Sequence, residues 1–390
     1  MIFKTPEPRD DERDVLELIA GLRDELHDRV AEPRRWGETL RRMAFARAVQ
    51  GSNSIEGYNA SLDDVVAAVE DEPTLDADEE TQLALAGYRD AMTYVLQIAD
   101  DEMLEVDEGL LKSLHFMMIK HDLGKNPGRW RPGAVFVRSG ETGAMVYEGP
   151  PRDDVPTLII EMLNDLEHDE APILIKAAMA HLNLTMIHPF SDGNGRMARC
   201  LQTLVLARDR VIAPVFSSIE EFLGRNTDAY YAVLGEVGEG SWNPDRDARP
   251  WIRFCLRAHY MQIRTMLCRR QEIEELWNGC IALAESNGLP ERCATALMDA
   301  AYGLRIRRGS YRTSVEAGTG EEISQQTATR DLQAMADRGL LEPFGERRTR
   351  YYLAGGGPTE LRERVKSGRP SRAAEDPFVV VRDRRQLSLT

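Results

Sequence analysis

The chain has 390 residues, 42% of them apolar, and a formal charge of −16. That length fits two or three domains with ordinary cores. The charge excludes a protein built mainly to coat nucleic acid, while a local basic module stays compatible with it. The five cysteines, Cys200, Cys255, Cys268, Cys280 and Cys293, show no CxxC spacing, which argues against a structural zinc site and for a reducing compartment. The opening residues lack the apolar core of a signal peptide and no run of about 18 apolar residues follows. We therefore expect a cytoplasmic chain with no membrane partner.

Val15, Leu18, Ile19 and Leu22 recur at helical spacing, and Arg34 to Gln50 predicts a second helix that the polar segment Ser52 to Asn59 interrupts. Ser61 with Asp64 three residues on marks the next helix start. Helical patterns continue over 77–103 and 110–120. Between 126 and 150 glycine and proline are dense. There Ala134-Val135-Phe136-Val137, a turn at Ser139 to Gly143 and Ala144 to Tyr147 predict a hairpin. Helices are expected again at 155–167, 172–185, 195–208, 220–234 and 250–275. Beyond them, a helix over 290–302, another ending at Gly339 and a returning strand at 346–353 suggest a winged helix-turn-helix. The resulting partition is an N-terminal helical region at 1–100, a core at 101–280, a winged-helix-like unit at 285–354 and a flexible tail at 355–390.

The densest chemistry lies in HPFSDGNGRMAR, residues 188–199. A loop entering a helix presents free N–H groups to an anion. Gly193 and Gly195 let the backbone approach a ligand, and with Asn194 they make a diphosphate nest. Arg196 and Arg199 share a helix face and both reach phosphate oxygens. Asp192 is a hard ligand suited to Mg2+. His188 is the nearby group whose ordinary pKa permits proton abstraction near pH 7. Phe190 is expected to turn inward. A solvated helix start capped by Asp192 would need few of these residues. The run lacks the GK[ST] ending of the common phosphate loop. His27, His115, His121, His168, His181 and His259 are scattered without metal-ligand spacing, and His181 reads as a packing residue.

This run matches the signature of Fic domains, HxFx(D/E)GNGRxxR, at every position, and the chain resembles that family over much of 100–262. The resemblance implies a mainly α fold: a Fic-type helical domain with a small β-hairpin flap, followed here by the winged helix-turn-helix. It implies transfer of AMP from ATP to a Tyr, Thr or Ser hydroxyl of a target protein or of the chain itself. His188 would deprotonate the hydroxyl, and Asp192 would hold Mg2+. Gly193, Asn194 and Gly195 would form the anion hole, with Asn194 also touching phosphate. Arg196 would take the β-phosphate and Arg199 the γ-phosphate. Transfer of phosphate, UMP or phosphocholine remains an alternative, as does removal of AMP.

Ser52-Asn-Ser-Ile-Glu56-Gly57 resembles the family's inhibitory motif, (S/T)xxxE(G/N), which implies that Glu56 pairs with Arg199 and shuts out the γ-phosphate. Taken alone, Glu56 would read as a helix-terminal carboxylate. Ala134 to Val137 resembles the flap beside which an extended target segment docks, although a purely structural hairpin fits the same pattern. Residues 323–353 resemble winged-helix modules appended to some Fic proteins. Ser324, Gln325, Gln326, Thr327, Thr329 and Arg330, with Arg347, Arg348 and Arg350 on the wing, suit a DNA groove. Asp331 and Asp337 on the same helix suit protein docking or a homodimer instead, so a DNA-binding regulator is a further alternative.

Overall fold

The computed structural model describes the chain except for residues 32–33, 73, 75, 139–143, 347–349, 369–374 and 389–390. The predicted turn at Ser139 to Gly143 and the wing residues Arg347 and Arg348 lie outside the described residues. The protein is mainly α-helical, with two antiparallel hairpins among the described residues. Among the described residues no helix is long and apolar enough to cross a membrane.

Helix α7 (Ile173–Ile187) organises the first half. All of its residues but Ile173, Lys176 and Thr185 are buried, the pattern of a helix enclosed on every side. A short loop turns the chain back into α8 (Asn194–Ala207), which packs along α7. Around this pair stand α4 (Glu79–Ile98), α5 (Glu108–Ile119), α6 (Val155–His168) and α10 (Thr227–Gly238). The hairpin of β1 (Phe136–Arg138) and β2 (Met145–Glu148) lies beside the α7–α8 loop, tied down by Tyr147, whose hydroxyl donates to the Met186 carbonyl at 2.8 Å.

The polar run at Ser52 does not end its helix. Helix α2 (Gly37–Ile55) continues through it, and Glu56 is the C-cap. Asn53 donates to the Val49 carbonyl and Ser54 to that of Gly51, so these side chains bond back to their own helix instead of breaking it. Helix α9 (Glu220–Arg225) lies against this turn. A methyl at Gly224 would sit 2.6 Å from the Gly51 Cα, and one at Gly51 would strike the Glu220 carbonyl. Only two glycines allow the helices to meet so closely. The helix expected at 220–234 is divided at Asn226, which leaves helical angles and donates its amide to the Phe222 carbonyl.

The second half has its own core, but no packing gap marks residue 280. Helix α11 (Arg249–Ser286) has 38 residues, about 57 Å of helix. Its first part contributes Trp251 and Leu256 to the central core, and its second part joins Ile273, Leu276 and Trp277 to Leu26, Trp36 and Leu40 from the N-terminal region. Onto it pack α12 (Cys293–Ala301), α13 (Arg308–Thr319), α14 (Gln325–Asp337) and a hairpin of β3 (Leu341–Phe344) and β4 (Tyr351–Ala354). Helix α13 went unpredicted because Gly and Thr dilute its pattern. The tail differs from the expected loose segment. Gly356–Ser367 is helix α15, with Leu361 and Val365 buried, and Pro377–Ser388 is helix α16. Its Phe378 is buried beneath the Arg253 guanidinium at 3.7 Å. Arginine-rich composition masked the apolar stripe of α15.

Candidate active site at the mouth of helix α8

His188 terminates α7 in the left-handed conformation, with φ 53° and ψ 58°. That is uncommon for a side-chain-bearing residue. It turns the chain sharply and stations the imidazole at the loop. The ring Nδ1 lies 3.1 Å from the Thr185 carbonyl. A carbonyl only accepts, so Nδ1 carries the proton and Nε2 is left as the free base. Burial, together with the nearby Arg131 cation, lowers the His188 pKa below its ordinary value, against the Thr185 bond.

The loop is held from beneath by apolar stacking and an amide clamp. Phe190 is fully buried and stacks on His115 at 3.7 Å, with Trp130 tilted over it at 4.9 Å. Asn194 spends both ends of its amide on Phe190, accepting from its N–H and donating to its carbonyl, each at 2.9 Å. It fixes the loop, and its backbone stands at the helix start. Gly193 has φ +75°, and a methyl there would press on Ile119, so both conformation and space call for glycine.

Asp192 accepts from the Gly193 N–H at 2.7 Å and pairs with Lys125 at 2.8 Å. Burial acts to raise its pKa, but Lys125 and the amide hold it below the ordinary carboxylate range. Among the described residues no cluster of three or more His, Cys, Asp and Glu side chains could hold a metal. Mg2+ asks for less, since one or two carboxylates with substrate phosphates and water suffice. Asp192 fits that role.

The two arginines differ. Arg196 is 1% exposed. Its Nε and Nη1 have no hydrogen-bond partner among the described residues, and its guanidinium lies 5.2 Å from the centre of the Tyr58 ring. Buried donors left unmade are costly, and Arg196 is itself in the first turn of α8, whose amides have no carbonyl within the helix to bind. Arg199 is occupied. It donates through Nε to the Ser52 hydroxyl at 2.7 Å, and through Nη2 to the Ser52 carbonyl at 3.0 Å and to Glu56 Oε1 at 2.6 Å. Burial disfavours its charge, yet the Glu56 carboxylate holds its pKa above the ordinary value. Gly57 follows with φ +89°. A methyl on Gly195 would fall 2.5 Å from Glu56 Oε1, so the carboxylate lies directly over the glycine step of the loop.

The structure thus brings His188, Asp192, Gly193, Gly195, Arg196, Arg199, Ser52 and Glu56 into one site. The flap residues lie at its side, with Phe136 and Val146 exposed. At its end β2 is engaged on its outer side, where Glu148 bonds to Gly240 and Trp242, and among the described residues β1 has no strand partner besides β2. Sequence reading missed His115, which accepts from the Gly128 N–H and donates to the Asp192 carbonyl, each at 2.9 Å. Burial lowers its pKa to about 4, and it serves as a neutral bridge. It also missed Lys125 and Arg131, whose partners are distant in sequence. His181 is a buried packing residue, bonded to Gln202 and Tyr230.

This is a helical domain built around an anion-receptive loop with a poised base and an inserted carboxylate. Residues 105–206 match the Fic/DOC family. It is 29% identical over 222 residues to "Protein adenylyltransferase Fic" of Nematostella vectensis, covering 55% of this chain and 47% of that protein. It is 35% identical over 119 residues to "Protein adenylyltransferase fic-1" of Caenorhabditis elegans, covering 28% and 20%. The chain thus spans less than half the length of these curated relatives. In fold it resembles a crystal structure of a Fic family protein from Desulfovibrio desulfuricans G20, with a TM-score of 0.57 and 22% identity over 90% of this chain and 98% of that one. It also resembles Fic-1 of C. elegans, residues 134–508, with a TM-score of 0.53 and 23% identity, covering 66% and 72%.

Proposed function

We propose that the chain is a protein adenylyltransferase, transferring AMP from ATP to a hydroxyl side chain of a protein, and that Glu56 restrains it. The observation that carries this reading is that Arg196 is buried with Nε and Nη1 lacking a hydrogen-bond partner among the described residues, whereas Arg199 is bound by Ser52 and Glu56 and keeps only Nη1 unpartnered. The site has one cation waiting for a phosphate and a second held by a carboxylate in place of one. Names of the relatives support AMP as the transferred group.

In the derived reaction, His188 Nε2 accepts the proton of an incoming Tyr, Thr or Ser hydroxyl. The oxygen forms a bond to the α-phosphorus of ATP, and the bond from that phosphorus to the bridging oxygen breaks. Pyrophosphate leaves with the electron pair. The first-turn amides of α8, from Asn194 to Arg196, receive the phosphate chain, Arg196 takes the β-phosphate and Arg199 the γ-phosphate, so that charge is met by preset donors. Asp192 with the nucleotide phosphates would hold Mg2+, which supplies charge neutralisation and orientation when bound. Lys125 must then yield Asp192 Oδ2. Glu56 acts by displacing and repelling the γ-phosphate, which misplaces the α-phosphorus, and an error of about 1 Å costs a rate roughly a hundredfold. The β1 edge of the flap takes an extended target segment by backbone pairing.

The test is incubation of wild-type and Glu56→Gly protein with Mg2+ and, separately, labelled ATP, UTP, GTP and CTP. Label from ATP on the variant, and far less on the wild type, is expected. No label from any nucleotide counts against the reading, and label from UTP alone would reassign the donor.

One observation favours a second role, DNA contact, for the C-terminal unit. Of the two carboxylates that by sequence opposed it, Asp331 is turned inward to Arg292 and the Tyr311 hydroxyl, while Asp337 stays exposed, as do Gln325, Gln326, Thr329 and Arg330 on α14. The 390-residue chain should then bind duplex DNA with an affinity that falls steeply as salt rises. Absence of binding at low salt would return the unit to protein docking.

A further inference from the structure

Arg131 sits between α5 and β1, outside the signature run, and is 2% exposed. Its side chain is a fork with three carbonyls on its tines. Nε donates to the carbonyl of His188 at 2.9 Å, Nη1 to that of Gly133 at 2.5 Å and Nη2 to that of Pro150 at 2.5 Å. Its own N–H donates to the Pro189 carbonyl at 2.8 Å. Among the described residues its hydrogen bonds go to backbone alone, and no carboxylate pairs with it. Gly133 precedes the flap and Pro150 follows it, so one guanidinium ties both stems of the hairpin to the residue that carries the base. Gly149 keeps room for this arrangement, since a methyl there would sit 2.7 Å from Val135.

Burying a cation without an anion is unfavourable, and three carbonyls offset it only if their geometry is kept. A lysine presents a point charge on a flexible stem and cannot span the three acceptors in one plane. The carbonyl that Arg131 holds is that of the left-handed His188, whose uncommon conformation directs the ring. Relaxation of that residue would swing Nε2 away from an incoming hydroxyl and loosen the flap in the same motion. Burial leaves the Arg131 pKa below its ordinary value, without threatening its charge near neutral pH.

We propose that Arg131 is a positioning residue that sets the catalytic base and the target-docking flap as one unit, so that a target segment seated on the flap meets a base already aimed. This rests on the adenylyltransferase reading, but part of its test does not.

The experiment places Arg131→Ala and Arg131→Lys in the Glu56→Gly chain. It measures self-labelling from labelled ATP, calorimetric affinity for Mg-ATP, and the His188 ring titration by NMR. Arg131→Ala should label roughly a hundredfold more slowly, while nucleotide affinity stays within about twofold, because Arg131 touches neither α8 nor its arginines. Arg131→Lys should remain slow, and added methylguanidinium should restore part of the Ala variant's rate. The His188 titration should move up towards its ordinary value in both variants, as the cation is displaced and the ring opens to solvent. Undiminished labelling, full rescue by lysine, or loss of nucleotide affinity in step with rate would overturn the proposal. If the parent chain labels nothing, the adenylyltransferase reading fails, and the NMR titration still decides: an unmoved His188 in Arg131→Ala overturns the coupling of Arg131 to the base.

Discussion

His188 shows how much a single backbone setting can do. Left-handed angles end α7, direct the ring and let the chain reach α8 in a few residues, at a conformational cost of about 1–2 kcal/mol. The Nδ1 bond to Thr185 selects the tautomer, and burial keeps the base neutral. In the Glu56→Gly background, His188→Ala should lower the labelling rate by about 10²- to 10⁴-fold, measured with labelled ATP at saturating concentration. Because the folded pKa of His188 lies below the usual 6.5, the rate should be level through neutral pH and fall only on the acid side, as the ring takes up a proton. A rate that instead declines between pH 8 and about 6.5 would place the base at its ordinary value. The chemistry-bearing residues of this loop were legible because their types are dense and local in sequence. His115, Lys125 and Arg131 were not, since each acts through a carbonyl or carboxylate from 57 to 77 positions away, and spacing alone cannot report that.

At the scale of elements, the restraint depends on how α2 is seated. Ser52 and Glu56 ride on its last turn, which lies in a groove that α9 offers only because Gly51 and Gly224 have no side chains. Gly51→Ala should cost about 1–3 kcal/mol through overpacking, seen as a lowered thermal midpoint, and should also raise basal self-labelling in a chain that still has Glu56. A lowered midpoint with unchanged labelling would detach the helix contact from the restraint. The sequence pattern broke off this helix too early. Gly-Ser-Asn-Ser has the composition of a loop, and only the tertiary groove makes burial of those polar residues favourable. The same limit divided the expected helix at Asn226, where a side chain competed with the backbone for the Phe222 carbonyl.

Across the whole molecule, the central core, the continuous α11 and the second core make one body, so the C-terminal unit is in contact with the restraining helix. Arg42 of α2 bonds to Glu70, to Asp299 of α12 and to Ser314 of α13. Three interior histidines set the acid limit. Burial lowers His115 to about 4 and His181 and His259 to about 3, from an ordinary 6.5. Unfolding lets each take up a proton that the folded state refuses, so stability is full above about pH 6.5 and falls as the pH drops through the window down to 4 or 3. Within that window each contributes a slope of up to about 1.4 kcal/mol per pH unit, and denaturant melts at stepped pH should show the loss. The helical class and the hairpin were readable from periodicity and turn residues. The shared second core was not, because it joins Leu26, Trp36 and Leu40 to Ile273, Leu276 and Trp277 from the far side of the chain.

The central claim is that the mouth of α8 receives a polyphosphate once Glu56 is removed from Arg199. A crystal structure of Glu56→Gly with magnesium and a non-hydrolysable ATP analogue tests it most directly. Phosphate oxygens within hydrogen-bonding reach of Arg196, Arg199 and the α8 amides, with His188 Nε2 facing the α-phosphorus, is the predicted result. A nucleotide bound elsewhere, or that mouth packed shut with the His188 ring turned into the core, would contradict it.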